Sequence, residues 1–237
     1  MSKKAVVIGD VHGAWGNAED IINEAITKEG PLDLIIQVGD MGFGMPGVRP
    51  WTFSPPCPSL WIDGNHENYF MLNKRDVPNF GYDPYHILWP QEWATFLETW
   101  EYMPRGTVRE GILFIGGAAS IDRHYRTEGV DWWPEENISY QDEERTLKAI
   151  EEYDGPIHTV ISHTCPLSFR MAPVLHGPEF ATGNRKFLEH IRQVVMPQRW
   201  YFGHFHVSLT GTFEGCEWRC LDMAGGYSGI DYAAFEF

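Results

Sequence analysis

Five short polar clusters in this 237-residue chain each follow directly on an apolar run: Asp10-Val11-His12, Gly39-Asp40, Gly64-Asn65-His66, Ser162-His163 and Gly203-His204-Phe205-His206. Together they supply two aspartates, one asparagine and five histidines. Neutral imidazole and carboxylate are the ligand types that Zn, Fe and Mn take in mixed shells. Asp10 and His12 are spaced i,i+2, and so are His204 and His206. In extended backbone that spacing puts both side chains on one face, so each pair could chelate one ion. Any one of these histidines alone reads as a loop hydrogen-bonder. The weight comes from the repetition of the pattern.

The elements that must bring these clusters together are legible from periodicity. Residues 5–8, 34–38, 60–62, 112–115 and 157–161 are short apolar runs rich in β-branched residues and read as buried strands. Further strands are expected near 199–202, 207–213 and 217–221. Helical spacing of apolar residues marks 17–28 and 184–195, and Ser139 with Asp142 three residues on caps a helix over 140–153. Residues 41–58 hold three Gly and five Pro and read as a loop. Segments 67–110 and 120–137, rich in Trp, Tyr and Pro, read poorly as regular structure. The alternation of strands and helices predicts a layered α/β domain over residues 1–237. In such sheets ligands sit beyond the carboxyl ends of the strands, where loops remote in sequence converge.

The five clusters, in this order, resemble the calcineurin-like metallophosphoesterases, whose pattern is D-x-H, G-D, G-N-H-[ED], H and G-H-x-H. Here it reads Asp10-Val11-His12, Gly39-Asp40, Gly64-Asn65-His66-Glu67, His163 and Gly203-His204-Phe205-His206. The resemblance implies a two-sheet β-sandwich flanked by helices, with a dimetal site at one end of the sheets. Carried over position by position, it assigns Asp10, His12 and His206 to one ion. It assigns Asn65, His163 and His204 to the other, with Asp40 shared by both. The cofactors it implies are two divalent ions, Mn first, with Fe, Zn, Ni or Co as alternatives. Two such ions clamp a phosphate and lower the pKa of a shared water, whose hydroxide attacks phosphorus in line. His66 is then left to protonate the leaving group.

The activity this implies is hydrolysis of a small phosphate mono- or diester. Relatives that are Ser/Thr protein phosphatases extend the second block to G-D-x-x-D-R-G, whereas here Phe43 and Gly44 stand at the Asp and Arg positions. That departure speaks against a protein phosphatase, but the start Gly9-Asp10-Val11-His12-Gly13 resembles that branch and keeps it as an alternative, beside a nuclease and a non-catalytic metal-binding scaffold. Arg123 and Arg126, three apart in the segment after Gly116-Gly117, suit a phosphate contact. His124 lies between them, and His86 and His176 lie in other irregular stretches, where substrate contact is conceivable. Gly42-Phe43-Gly44-Met45-Pro46-Gly47 matches a dinucleotide fingerprint, but the proline-rich stretch after it denies the helix that fingerprint needs. Cys165, Cys216 and Cys220 read as buried thiols, and Trp132-Trp133 as core.

Charge and composition exclude several classes. Against 18 Lys and Arg stand 33 Asp and Glu, a formal net charge of −15 that repels long nucleic acid and anionic lipid. A 14% aromatic content excludes disorder. No apolar stretch reaches the length of a membrane span. The first apolar run ends at Asp10, too early for a signal peptide, which predicts a cytoplasmic protein with reduced thiols.

Overall fold

The computed structural model describes residues 2–73, 91–171 and 182–237. The chain opens with β1 (Lys4–Ile8), α1 (Trp15–Glu29) and β2 (Leu34–Gln37), then crosses an irregular loop to β3 (Ser59–Trp61). Next come α2 (Tyr69–Leu72), α3 (Gln91–Thr99), β4 (Glu101–Tyr102), β5 (Thr107–Arg109) and β6 (Ile112–Ile115). The last part holds α4 (Tyr140–Glu152), β7 (Thr159–Ser162), α5 (Gly183–Val195), β8 (Arg199–Phe202), β9 (Leu209–Phe213), β10 (Cys216–Cys220) and β11 (Tyr232–Glu236). The segment 67–110, expected to be irregular, thus contains two helices and two short strands. His86 and His176 lie outside the described residues.

The strands form two mixed sheets, ordered β11-β1-β2-β3-β4 and β5-β6-β7-β8-β10-β9. Within the first, β1, β2 and β3 run parallel, with Ala5 opposite Leu34 and Ile36 opposite Leu60. Within the second, β6, β7, β8 and β10 run parallel, with Leu113 opposite Val160 and Val160 opposite Trp200. Antiparallel strands β11, β5 and β9 close three of the four edges.

Alternation along the strands divides the core into three layers. Ala5 and Val7 of β1, with Leu34, Ile36, Phe114, Ile161 and Tyr201, fill the space between the sheets. Val6 and Ile8 point the other way and pack with Ile21 and Ile22 of α1 and with Trp61, Phe96 and Trp100. On the outer face of the second sheet, Leu113, Ile115, Val160 and Trp200 pack with Phe187, Leu188 and Ile191 of α5. Strands buried on both faces read as continuous apolar runs. The architecture is the helix-flanked two-sheet sandwich that the family pattern implies.

Local signals act as the sequence suggests. Ser139 Oγ accepts from the Asp142 N–H at 3.2 Å while the Asp142 carboxylate accepts from the Ser139 N–H at 3.0 Å, a reciprocal cap on α4. Gly30, at φ 81°, ends α1. Trp133 and the thiols Cys165, Cys216 and Cys220 are buried. No helix follows Gly42–Gly47 before α2, so that glycine string is an ordinary loop.

Candidate metal centre

Because β1, β2 and β3 run parallel, as do β7 and β8, the loops after them open at the same ends of their sheets. Asp10, Asp40, Asn65, His163 and His204 each lie within four residues of a strand's carboxyl end. The structure brings all seven proposed ligands together there. Asp10 is fully buried, as are Asp40, Asn65 and His163 to within 5%.

The donors gather around two foci. At the first, His12 Nε2 lies 3.1 Å from His206 Nε2, His206 Nε2 lies 3.1 Å from Asp10 Oδ2, and His12 Nε2 lies 3.6 Å from Asp40 Oδ2. One ligand atom from each of these four residues falls within 4.8 Å of the others. At the second, His163 Nε2 lies 3.3 Å from Asp40 Oδ1 and 3.2 Å from Asn65 Oδ1, and the His204 ring centroid is 5.1 Å from that of His163. Asp40 therefore turns one oxygen to each focus. His163 Nδ1 donates to the Val38 carbonyl at 2.8 Å, which leaves Nε2 to face the donors. Acceptors pointed at one another at this range repel unless a cation or a proton lies between them, so the donor set fits two divalent ions.

The titration of the groups follows from the same crowding. Burial opposes charge on Asp40, but His163, His66 and His12 around it hold its carboxyl well below the usual range. Burial likewise opposes charge on His163, yet Asp40 and Asp10 outweigh it and push the imidazole up to about 10. His204 goes the other way: burial, with His163 beside it, takes it down to about 3. The hydrogen bond to Asp10 raises His206.

Backbone geometry departs from the extended form assumed for the i,i+2 pairs. His12, Asp40, His204 and His206 all have left-handed φ, at 49°, 56°, 68° and 49°. The turn at His204 separates it from His206, which joins Asp10 and His12 while His204 joins His163. His204 and His206 therefore do not share one face; each lies at a different focus. The glycines of the pattern have a steric reason as well. A Cβ on Gly64 would run into the Asp40 carboxylate and the His163 ring, and one on Gly203 into Asp10. Asp10 also accepts the His204 backbone N–H at 3.0 and 3.1 Å.

His66 stands beside the donors. Its backbone N–H donates to Asp40 Oδ1 at 2.7 Å, and its ring meets His12 edge-on at 4.8 Å between centroids. Burial lowers its pKa, against the pull of Asp40. Arg126 Nη2 is 2.9 Å from His66 Nε2 and 2.9 Å from Asp122 Oδ2. An arginine can only donate, so His66 Nε2 is the acceptor here. A cleft of about 320 Å³ opens over this group, walled by Ser120, Ile121, Asp122, Arg126 and Phe205. Arg123 and His124 stand in an exposed 3₁₀ turn outside that lining, with His124 packed on Tyr125 at 4.0 Å. A larger hollow of about 420 Å³ lies over Tyr69, Arg105 and Asp142, but Arg105 and Asp142 already pair with each other. Chemistry, not size, locates the site.

Several supporting residues were given no role by the sequence. Glu67 Oε1 and Oε2 accept from the backbone N–H groups of Gly42 and Gly64, at 3.2 and 2.6 Å, and so tie the loops after β2 and β3 together. The buried Arg105 guanidinium grips Asp63 at 2.6 and 2.9 Å. Only Glu67 lay inside a recognisable block. Arg105 and Asp63 are single residues whose neighbours in space are remote in sequence.

Comparison with known proteins agrees with the fold. The family model for calcineurin-like phosphoesterases matches residues 3–208, and the chain belongs to that family. No curated protein sequence matches it. Solved structures similar in fold include the phosphopantetheinyl hydrolase of Mycobacterium tuberculosis, at 16% identity and a TM-score of 0.52 over 94% of this chain and 91% of that one. GAP50, the anchor in the inner membrane complex of Plasmodium, matches at 12% identity and 0.54, over 99% and 81%. A putative 5'-nucleotidase of Staphylococcus aureus matches at 12% and 0.53, over all of this chain and 51% of that one. Among the described residues no helix is long and apolar enough to cross a membrane.

Proposed function

We propose that this chain is a dimetal-dependent phosphoesterase that hydrolyses a small phosphate mono- or diester in the cytoplasm. The observation that carries the reading is Asp40, a buried carboxylate whose two oxygens face two separate groups of donors. Asp10, His12 and His206 would hold one ion and Asn65, His163 and His204 the other. When bound, such a pair supplies Lewis acidity to the phosphoryl oxygens and a nucleophilic water.

The chain's own residues do the rest. Arg126, the one arginine on the cleft among the described residues, is placed to take a phosphoryl oxygen. In doing so its guanidinium leaves His66 Nε2, and the loss of that positive neighbour lets the ring take up a proton from solvent. His66 then gives that proton to the departing oxygen. Ile121 and Phe205 offer an apolar wall to whatever the phosphate is attached to. The cleft volume suits a small molecule rather than a polymer. The buried aromatic packing of Phe43, whose ring lies 4.7 Å from Trp93 and 5.5 Å from Trp61, makes that position core and not a substrate contact. This favours a small ester over a phosphoprotein.

The test is to strip the protein of metal and assay p-nitrophenyl phosphate and its bis ester before and after adding Mn²⁺. Turnover should vanish and return. Full turnover in verified metal-free protein would overturn the reading. A panel of mononucleotides, cyclic nucleotides, dinucleotides and phosphopeptides then ranks substrates by kcat/KM.

A further inference from the structure

Asn65 differs from the other six donors in being an amide. Its two ends have nearly the same shape, but only Oδ1 can ligate a cation; the turned amide would present N–H groups to it. Something must fix that rotation. In this structure Asn65 Nδ2 donates to Ser120 Oγ at 3.2 Å. The single hydroxyl proton of Ser120 goes to Glu136 Oε2 at 2.6 Å. Glu136 Oε1 accepts the Ser120 backbone N–H, also at 2.6 Å. Both carboxylate oxygens act as acceptors, so the serine hydroxyl points toward Glu136 and its oxygen can only accept from Asn65. Each step dictates the direction of the next.

The anchor of this chain is itself held. Glu136 is 1% exposed and Ser120 5% exposed. Arg105 donates to the carbonyls of Glu135, Glu136 and Asn137 at 2.9, 3.2 and 2.8 Å, which fixes the turn carrying Glu136. The same guanidinium binds Asp63, two residues before Asn65. The turn that supplies Glu136 and the loop that supplies Asn65 are thus locked to one buried cation.

We propose that Glu136 and Ser120 form a directional hydrogen-bond relay that holds the Asn65 amide with Oδ1 toward the second ion. They are positioning residues for that half of the site, and neither ligates. The inference rests on the two-ion reading above. Partners that orient a ligand without binding metal typically contribute 10–100-fold to affinity, which sets the size of the effect.

The experiment titrates metal-stripped protein with Mn²⁺ by calorimetry and follows the electron paramagnetic resonance signal. Wild type should take two ions and show the exchange-coupled signal of a manganese pair. Ser120→Ala should weaken the second ion by roughly 10–100-fold while leaving the first unchanged. At intermediate Mn²⁺ its spectrum should be the six-line pattern of isolated Mn²⁺. Glu136→Gln puts a donor where the relay needs an acceptor, so it should reverse the serine hydroxyl and lose the second ion too. Ser120→Thr keeps the hydroxyl, and its extra methyl can enter the cleft, so pairing should be restored. Thermal melting under the same conditions confirms that Ser120→Ala remains folded. Two ions bound by Ser120→Ala with wild-type affinities and a coupled spectrum overturn the relay. A wild type that never takes a second ion overturns the two-ion reading, and the relay falls with it.

Discussion

Loading the second focus with metal should expel a proton from His163. In metal-stripped protein this imidazole, wedged against Asp40 and Asp10, titrates at about 10 and is protonated at neutral pH. Nδ1–H is committed to Val38, so the proton to be lost sits on Nε2, 3.3 Å from Asp40 Oδ1. At pH 7 the group lies three units below its pKa. At about 1.4 kcal/mol per unit, removing the proton costs about 4 kcal/mol. Apparent affinity at this focus should rise about tenfold per pH unit. Between pH 6.5 and 8.5 the dissociation constant should fall by about 100-fold. Calorimetry in two buffers of different ionisation enthalpy counts the protons directly, with about one released per ion at this focus. A pH-independent constant with no proton released would refute the electrostatic picture of His163. Stability of the stripped protein carries the same signature with a definite sign. His163 has a raised pKa, so its contribution is complete below about 6.5 and is lost as pH climbs through about 10.

Three further outcomes are expected. His66→Ala should lower kcat by about 10²–10⁴ with both ions retained in metal analysis, and by less for p-nitrophenyl esters, whose leaving group needs little protonation. Arg126→Ala should raise KM for the preferred ester several-fold, while Arg123→Ala, outside the cleft, should leave KM unchanged in the same assay. Gly64→Ala drives a methyl into Asp40 and His163 and should cost about 1–3 kcal/mol in chemical denaturation together with the loss of an ion.

How much of this was legible before the structure depended on where the information lay. Strands β1, β2, β6 and β8 are buried on both faces and show as unbroken apolar runs, so their positions hold to within a residue or two. The missed elements are the short or peripheral ones. Strand β4 has two residues and β5 three, too few to display any period. The closing strand β11, Tyr-Ala-Ala-Phe-Glu, is a short edge strand whose burial alternates, and it went unread. Helix α3 was hidden in a segment whose Trp and Pro content suggested a loop. The candidate ligands were legible because metal chemistry restricts residue type as well as spacing. Asp63, Arg105, Ser120 and Glu136 were not, because a buried hydrogen bond leaves no local pattern and their partners arrive from other elements. Spacing misled at one point: i,i+2 implied extended backbone, and the chain is left-handed at three of the four histidines and aspartates concerned.

Those left-handed residues bear on how the site is built. Seven non-glycine residues have positive φ among those described, and His12, Asp40, His204 and His206 are four of them. Each such residue costs about 1–3 kcal/mol relative to an ordinary conformation. The cost persists only where the surroundings fix the backbone independently. Here main-chain bonds do so: the N–H groups of Val11 and His12 both donate to the Asp40 carbonyl, at 3.0 and 2.8 Å. Asp10 also takes the His204 N–H, and Gly203 donates to the His163 carbonyl at 3.0 Å. The loops that bear the candidate ligands are therefore stitched to one another by main-chain bonds, above three apolar layers. Strain concentrated at ligand positions, and offset by packing elsewhere, describes a site shaped before metal arrives. Metal-stripped protein should accordingly keep its far-ultraviolet circular dichroism and a cooperative melt while losing activity. Unfolding on chelation would show instead that the ions hold the loops in place.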